Sequence, residues 1–385
     1  MIRTLEDLAG PDRVQALLDH FVSKTPWGPH KIDAARVQSL LSWAEIDRLI
    51  GMRGLPPDQL RVVANRNTAE PSMYLDPKSG RLRADIVRGL AEDGASLVVD
   101  EIGRLVPAIN ELQTNIEWVL REHVNVNMYA TFGEHSAFHA HADAHDIIVL
   151  QLYGSKRWRR HGVHHPYPLQ GRRGRPPRDM PVIWEDVLAP GDVLYLPRGE
   201  VHAAVPVEHP SVHLTIGINE LVGADYVNWL AIQAGEHEVF RTNLARNADP
   251  GDRQAREGVL KAALHDLIDR TPLEAYFRAD DAERSLNRAG AFNIAGRLSP
   301  DSVLMTNLRR PVDLSLDVVD EVRIELGGAP IRLSRLERKA LHLICECRRM
   351  PFASLVAHPD LADECELLDV LAELARKQLI CIVDG

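Results

Sequence analysis

The spacing of hydrophobic and polar residues divides the chain into a helical beginning, a strand-rich middle and a helical end. Apolar residues recur at helical intervals in segments 14–22, 37–50 and 106–123. Between residue 124 and about residue 220, short β-branched and aromatic runs follow one another closely, which is typical of a β-sandwich or a small barrel. From about residue 222 the helical spacing returns. We therefore expect an α+β fold with a barrel between two helical regions.

Turn residues inside the strand-rich part predict how its strands connect. Gly154 and Ser155 separate two strand-like runs and predict a hairpin. Pro190 and Gly191 separate a second pair of predicted strands, and the pattern of segment 201–220 predicts a third pair. These strands supply the candidate barrel.

Composition and charge limit the kinds of partner. The chain has 385 residues, 45% of them hydrophobic, which is enough for two or three domains. Its formal net charge of -10 argues against nucleic acid as the default partner. We expect no membrane span, because no apolar run approaches the roughly 18 residues that a span requires. The N-terminus lacks the apolar core of a signal peptide, so we expect a cytoplasmic protein.

The segment FHAHADAHD, residues 138–146, is the first candidate for chemistry. If it is a strand, His139, His141, Asp143 and His145 lie on one face, because successive strand side chains point to opposite faces. A second segment reads glycine, five residues, proline, one residue, glycine, two residues and then His202. Both spacings are those of the two cupin motifs, so we expect the segments to meet at a metal ion.

Two sets of ligands fit this pattern. The general cupin set is His139, His141, Asp146 and His202. The other set, His141, Asp143 and His202, is a facial triad of two histidines and a carboxylate, which leaves coordination positions of iron(II) open. His145 is expected to be a bystander, and Asp146 to be a structural hydrogen-bonding residue.

The stretch HADAHDIIVLQLYGSKRW resembles the signature of JmjC-type oxygenases of the ribosomal-oxygenase, or cupin-4, group. The matching residues are His141, Asp143, Asp146, Gln151, Gly154, Lys156 and Trp158. This resemblance favours the triad as the metal site. It implies a double-stranded β-helix, or jelly-roll, barrel with flanking helices, and an enzyme that uses iron(II) and 2-oxoglutarate.

The resemblance also implies how the cosubstrate is bound. Lys156 would grip the distal carboxylate of 2-oxoglutarate, because a buried ammonium is costly unless it meets an anion. Further cosubstrate contacts are expected from Tyr129, Thr215 and Asn127. Candidate residues near the substrate or around the ligands are His139, His213 and Trp158. No catalytic side chain is expected beyond the metal centre.

The resemblance further implies a three-part architecture. Residues 1–222 would form the catalytic domain, with a helical part over 1–94 and the barrel core over 95–222. Residues 223–310 would form a helical region that makes a homodimer. Residues 311–385 would form a winged-helix-like domain. Its 14 acidic and nine basic residues argue against phosphate binding. Nucleic acid is therefore expected only indirectly, through a ribosomal substrate.

The implied activity is hydroxylation of an amino-acid side chain in a protein or peptide, with release of succinate and carbon dioxide. The substrate would be a ribosomal protein or a ribosomally made peptide. The alternatives are a metal-dependent cupin acting on a small molecule without 2-oxoglutarate, an N-methyl-lysine demethylase, and a winged-helix regulator with a ligand-sensing barrel. A loop with Arg172, Arg173, Arg175 and Arg178 either attracts an acidic substrate or ribosomal RNA, or is simply solvated.

Overall fold

The computed structural model describes residues 2–51, 55–64, 66–171, 175–284, 298–299, 301–312, 314, 321–326, 329–359, 361 and 364–383. The chain divides into two compact units, Met1–Glu220 and Leu221–Gly385. The finer divisions expected at residues 94 and 310 stay predictions.

The first unit combines short helices with a large antiparallel sheet. Its α-helices are α1 (Leu5–Ala9), α2 (Val14–Ser23), α3 (Ala34–Gln38), α4 (Trp43–Gly51), α5 (Ala84–Glu92) and α6 (Pro107–Leu120). Single 3₁₀ turns cover Pro57–Gln59, Pro71–Met73 and Ile102–Arg104. Its strands are β1 (Trp27–Lys31), β2 (Leu60–Ala64), β3 (Asn67–Thr68), β4 (Ser96–Val99), β5 (His123–Thr131), β6 (Asp146–Val163), β7 (Trp184–Leu188), β8 (Asp192–Leu196) and β9 (Glu200–Asn219).

Two long strands organise the sheet. The strand order is β1-β8-β6-β9-β5-β4-β2-β3, with β7 also paired to β6. Strands β6 and β9 pair from Asp146 opposite Ile218 to Val163 opposite Glu200, with interruptions near Gly154. The expected jelly-roll barrel with flanking helices is thus confirmed.

The predicted hairpin at Gly154 is wrong. Strand β6 runs through this position without reversing, and β9 likewise runs through segment 201–220 as one strand. Gly154 has a φ of 57°, and a Cβ there would lie 2.6 Å from the carbonyl oxygen of Pro210. Glycine therefore permits a sharp bend and a close approach to β9 rather than a chain reversal.

Alternation along β5 and β9 separates the hydrophobic core from the barrel interior. Side chains at the even-numbered positions of β5, such as Val126 and Met128, pack with the helices in the main core, as do Leu214 and Ile216 of β9. The odd-numbered positions from Asn125 to Thr131 in β5 and from His213 to Asn219 in β9 line the cavity described below. A smaller core inside the barrel contains Ile147, Val149, Trp158, Leu188, Leu194 and Leu196.

The second unit is helical at first and mixed afterwards. Its helices are α7 (Gly223–Ala234), α8 (Glu238–Arg241), α9 (Pro250–Arg270), α10 (Leu273–Glu283), α11 (Arg335–Cys347), α12 (Phe352–Val356) and α13 (Glu364–Arg376). Its strands are β10 (Val303–Thr306), β11 (Glu321–Leu326), β12 (Ala329–Ser334), β13 (Arg349–Pro351) and β14 (Ile380–Val383). Strands β13-β10-β14 form one sheet, and β11 and β12 form a hairpin. The winged-helix identity of this region stays a prediction. Among the described residues, no helix combines the length and apolar character needed to cross a membrane.

Candidate metal centre and its cavity

Three potential metal ligands converge at one point of the barrel. Ligand atoms of His141, Asp143 and His202 all lie within 4.8 Å of one another. His202 Nε2 is 3.6 Å from one carboxylate oxygen of Asp143, and His141 Nε2 is 4.0 Å from the other. Two imidazoles and one carboxylate are donors that suit iron(II) and related divalent metals. The role of these residues as ligands stays a prediction, but the geometry fits it.

Backbone pairing brings these side chains together. The His141 N–H donates to the His202 carbonyl at 3.1 Å, and the His202 N–H donates to the His141 carbonyl at 2.9 Å. The Gly199 N–H donates to the Asp143 carbonyl at 2.9 Å. Gly199 has a φ of 84°, and a Cβ there would lie 2.9 Å from the His165 carbonyl oxygen. The turn before His202 therefore depends on a glycine.

The strand expected over residues 139–145 is wrong. Only His141 in this segment makes a β-bridge, and β6 begins at Asp146. Three of the four alternating side chains, His141, Asp143 and His145, nevertheless line one cavity. The side chain of His139 is exposed and lies outside the ligand cluster.

Backbone carbonyls orient both ligand imidazoles. His141 Nδ1 lies 2.8 Å from the His139 carbonyl oxygen, and His202 Nδ1 lies 3.0 Å from the Glu200 carbonyl oxygen. A carbonyl can only accept, so each Nδ1 must carry the proton. The Nε2 lone pair of each ring is therefore free to bind a metal, as is usual for histidine ligands.

His202 is buried, and its surroundings favour the neutral form. Burial and the adjacent His141 lower the pKa of the His202 imidazole. The Trp158 ring stacks on His202 with a centroid distance of 5.8 Å. A neutral ring fixed by an aromatic neighbour is prepared for ligation without prior loss of a proton.

The Asp146 carboxylate is hydrogen-bonded away from the candidate metal centre, as expected of a structural residue. Its carboxylate accepts hydrogen bonds from the Arg198 N–H at 2.8 Å and the Tyr195 hydroxyl at 2.7 Å. It also pairs with the Lys24 ammonium at 2.6 Å, and Lys24 pairs with Glu220 as well. This network attaches the start of β6 to the turn that precedes His202. The cluster of potential ligands excludes Asp146, so the geometry favours the triad over the general cupin set.

A cavity of about 460 Å³ extends from the candidate metal centre into the barrel. Lys156 lies at its wall and is only 4% exposed. The Lys156 ammonium donates to the Thr131 hydroxyl at 3.1 Å and to His213 Nδ1 at 3.0 Å. Neither partner carries a negative charge, and burial lowers the pKa of Lys156 to about 7.

Tyr129 and His213 form an aromatic wall beside this lysine. Their rings stack in parallel with a centroid distance of 4.9 Å. Burial, followed by the charge of Asp143, raises the pKa of Tyr129, so its hydroxyl remains a proton donor. Burial, followed by the charge of Lys156, lowers the pKa of His213 well below its usual value. His213 is therefore a neutral acceptor toward Lys156.

The other predicted cosubstrate residues also reach the cavity. Thr215 and Asn127 lie opposite each other on paired strands and both line it. The Asn127 amide oxygen accepts the Glu101 N–H at 2.9 Å, so this oxygen already has a partner. Trp158 lines the same space. The predicted set thus lies together, except for His139, although the role of each residue stays a prediction.

Three residues of the cavity were not among the site residues predicted from the sequence. Thr131 is the hydroxyl partner of Lys156, and the alternation of β5 beyond Tyr129 could have indicated it. His145 lines the cavity although it was expected to be a bystander. Arg61 also lines it, held by Asp100 through two hydrogen bonds of 2.7 Å. Nothing in the local sequence of Arg61 indicates this position, because its strand precedes the barrel by many residues.

Comparison with known proteins agrees with this geometry. Residues 104–226 match the JmjC domain family. They form a JmjC domain. The protein described as the bifunctional lysine-specific demethylase and histidyl-hydroxylase NO66 of Drosophila willistoni is 31% identical over 149 residues, which is 37% of this chain and 19% of that protein. The NO66 protein of Aedes aegypti is 24% identical over 54% of this chain and 33% of its own length. The chain therefore spans about a third or less of these curated relatives.

Solved structures share the fold over nearly the whole chain. Escherichia coli YcfD aligns with a TM-score of 0.58 and 15% identity, covering 95% of this chain and 98% of YcfD. YcfD described as a ribosomal oxygenase in complex with cobalt and 2-oxoglutarate aligns with a TM-score of 0.56 and 16% identity, covering 94% and 95% of the two chains. At this identity the likeness establishes the fold alone.

The Asp146 network predicts a measurable effect on the metal centre. Replacing Lys24 by Met leaves a buried carboxylate without its cation, so the turn before His202 should loosen. We expect Co²⁺ affinity, followed by visible absorption, to fall about tenfold, as is typical when a group that supports the ligands is lost.

The matched control is Lys31→Met. Lys31 pairs with Asp192 at 3.4 Å, and its side chain is 56% exposed. This variant should bind Co²⁺ normally, and Lys24→Arg should recover most of the affinity. Unchanged Co²⁺ binding in Lys24→Met would show that the network serves stability alone.

Proposed function

We propose that this chain is an iron(II)- and 2-oxoglutarate-dependent oxygenase that hydroxylates an amino-acid side chain in a protein or peptide. The observation that carries the proposal is the buried Lys156, which shares one cavity with the His141, Asp143 and His202 cluster. A small-molecule cupin that does not use 2-oxoglutarate would not require this lysine. The JmjC match and the similarity to NO66 and YcfD support the same activity.

The residues present fit both groups that this activity requires. His141, Asp143 and His202 would hold the iron, since both Nε2 atoms and the carboxylate face one point. Lys156 and Thr131 would hold the far carboxylate of 2-oxoglutarate through charge-assisted hydrogen bonds. Tyr129 and Thr215 would add hydroxyl donors from the neighbouring wall. When bound, the iron would let dioxygen act as the oxidant, with one oxygen atom passing to the substrate and the other to the 2-oxo acid, which leaves as succinate and carbon dioxide.

The chain itself contributes orientation and shelter. Backbone carbonyls fix the ligand tautomers, and Trp158 packs beside His202. The cavity wall would shelter the space between the ligands and Lys156 once the cosubstrate and substrate fill it. No protein nucleophile or general base is required, which agrees with the expectation of no further catalytic side chain.

We also propose an oligomeric state and a cellular location for the protein. Helix α9 exposes Leu264 and Ile268, which are 42% and 43% exposed and lie one turn apart on the same side of the helix. A second copy of the chain would cover this apolar surface, so we propose a homodimer. We also propose a cytoplasmic protein with a ribosomal protein or a ribosomally made peptide as substrate. Nucleic acid would enter only through a ribosomal substrate.

The most direct test is mass spectrometry of candidate proteins after incubation with enzyme, iron(II) and 2-oxoglutarate. We expect a peptide that gains one oxygen atom. Loss of a methyl group from a lysine would instead indicate the demethylase activity that the name of the NO66 relatives includes.

Two substitutions separate the oxygenase from a small-molecule cupin. Lys156→Met should abolish conversion of 2-oxoglutarate to succinate while Co²⁺ binding persists, because only the carboxylate partner is lost. His139→Ala should retain most activity, since the His139 side chain is exposed. The reverse result, an essential His139 and a dispensable Lys156, would support the cupin alternative.

The pKa of Lys156 predicts a pH dependence of cosubstrate binding. Without an anion this pKa is lowered by burial to about 7, and a bound carboxylate raises it again. Below this value the lysine is already protonated and the affinity for 2-oxoglutarate should be constant. Above it, binding must take up a proton, so the dissociation constant should rise by up to about tenfold per pH unit.

Calorimetry in buffers of different ionisation enthalpy measures this proton uptake directly. His213, which faces Lys156, stays neutral over this range because its own pKa is lowered. Lys156→Arg keeps its charge and should lose the pH dependence. Constant affinity of the natural chain on both sides of pH 7 would contradict the prediction.

A further inference from the structure

The connection between β6 and β7 starts and ends beside the candidate metal centre. Val163, the last residue of β6, pairs with Glu200, and Arg160 pairs with His202. At the other end, the Ile183 N–H donates to the Arg160 carbonyl at 2.8 Å. Within the connection, Gln170 lines the cavity. We call its described residues, 163–171 and 175–183, the basic lip.

The basic lip carries positive charge that the surrounding structure does not neutralise. Segment 164–183 has four arginines and one aspartate, in a chain whose formal net charge is -10. On the adjoining strand, Arg157 and Arg159 pair with Glu185, and Arg160 pairs with Glu200. The arginines of the described lip are exposed and form no ion pair with other described residues; they are Arg175 and Arg178. Arg172 and Arg173 lie outside the described residues.

Apolar side chains accompany this charge. Val163, Tyr167, Val182 and Ile183 are 52%, 62%, 48% and 58% exposed. The Arg198 guanidinium lies 5.3 Å from the centre of the Tyr167 ring, which ties the lip to the turn that precedes His202. Single exposed apolar residues are ordinary, but four within one short charged segment are typical of an interaction surface.

We propose that the basic lip binds an acidic, partly apolar segment of the peptide substrate, next to the residue that enters the cavity. The inference rests on the proposed function, since it assumes a peptide that reaches the metal centre. Unpaired arginines at a rim attract carboxylates and speed encounter, while the aliphatic groups contact apolar side chains of the same segment. A nucleic acid fits less well, because three of the four exposed apolar side chains are aliphatic and offer no stacking surface, the Tyr167 ring is already contacted by Arg198, and the chain as a whole is acidic.

The test uses the full chain and short fluorescein-labelled peptides in anisotropy titrations. The peptides share length and leucine content, and their remaining positions are glutamate, glutamine or lysine. A single-stranded RNA is the fourth probe. We expect the glutamate peptide to bind tightest and to weaken as salt is raised. In the double variant Arg175→Glu/Arg178→Glu, its affinity should fall about tenfold.

Arg81→Glu/Arg88→Glu is the matched control. These arginines are also exposed in the first unit and form no ion pair with other described residues, so their reversal changes net charge equally. Their variant should bind the glutamate peptide nearly as the natural chain does. Equal binding of the three peptides, preference for RNA, or equal losses in both double variants would overturn the proposal.

Turnover of 2-oxoglutarate by the same samples keeps the two proposals apart. If the glutamate peptide binds tightest but 2-oxoglutarate is not turned over with any substrate, the proposal for the basic lip stands and the oxygenase proposal fails. If 2-oxoglutarate is turned over but peptide affinity does not depend on peptide charge, the oxygenase proposal stands and the proposal for the basic lip fails.

Discussion

The reciprocal backbone pairing of His141 and His202 is the constraint on which the site depends. Two neutral imidazoles and a carboxylate have no mutual attraction that would draw their lone pairs to one point. Their convergence within 4.8 Å is therefore imposed by the backbone, through the bridge between the two histidines and the bond from Gly199 to Asp143. The fold has already met the cost of bringing these donors together, so a metal ion would find a prepared site.

The pairing of β5 with β9 lets one set of strands serve stability and chemistry together. Even-numbered side chains such as Met128 and Leu214 are buried in the main core, while Tyr129 and His213 between them line the cavity. The pleat keeps the two sets on opposite faces. The polar groups of the cavity therefore stand on a rigid hydrophobic support.

Local spacing together with the resemblance to JmjC-type oxygenases was enough to single out the candidate ligands and the lysine, but not the path of the chain. The alternation of Lys156 and Trp158 with Arg157 was predicted, and the first two are buried while the Arg157 side chain is 44% exposed. The bend at Gly154 was mistaken for a hairpin, because a glycine-serine pair has the same local sequence whether the strand reverses there or bends and continues. The segment before Asp146 was mistaken for a strand, because alternation in sequence does not reveal whether a partner strand is present. Partners from distant segments, such as Arg61 and Lys24, leave no local signal at all.

Two lysines, the partly buried Lys24 and the buried Lys156, show why the cavity is suited to an anion. Lys24 faces two carboxylates, so its charge is balanced within the chain. Lys156 is more deeply buried, and within the described residues its ammonium is hydrogen-bonded to a hydroxyl group and a neutral imidazole. A structural lysine would be expected to have an acidic partner, since an unbalanced buried ammonium destabilises the fold. Its retention here is understandable if the balancing charge arrives with a ligand, and the cavity between Lys156 and the histidines is where a dicarboxylic acid would place it.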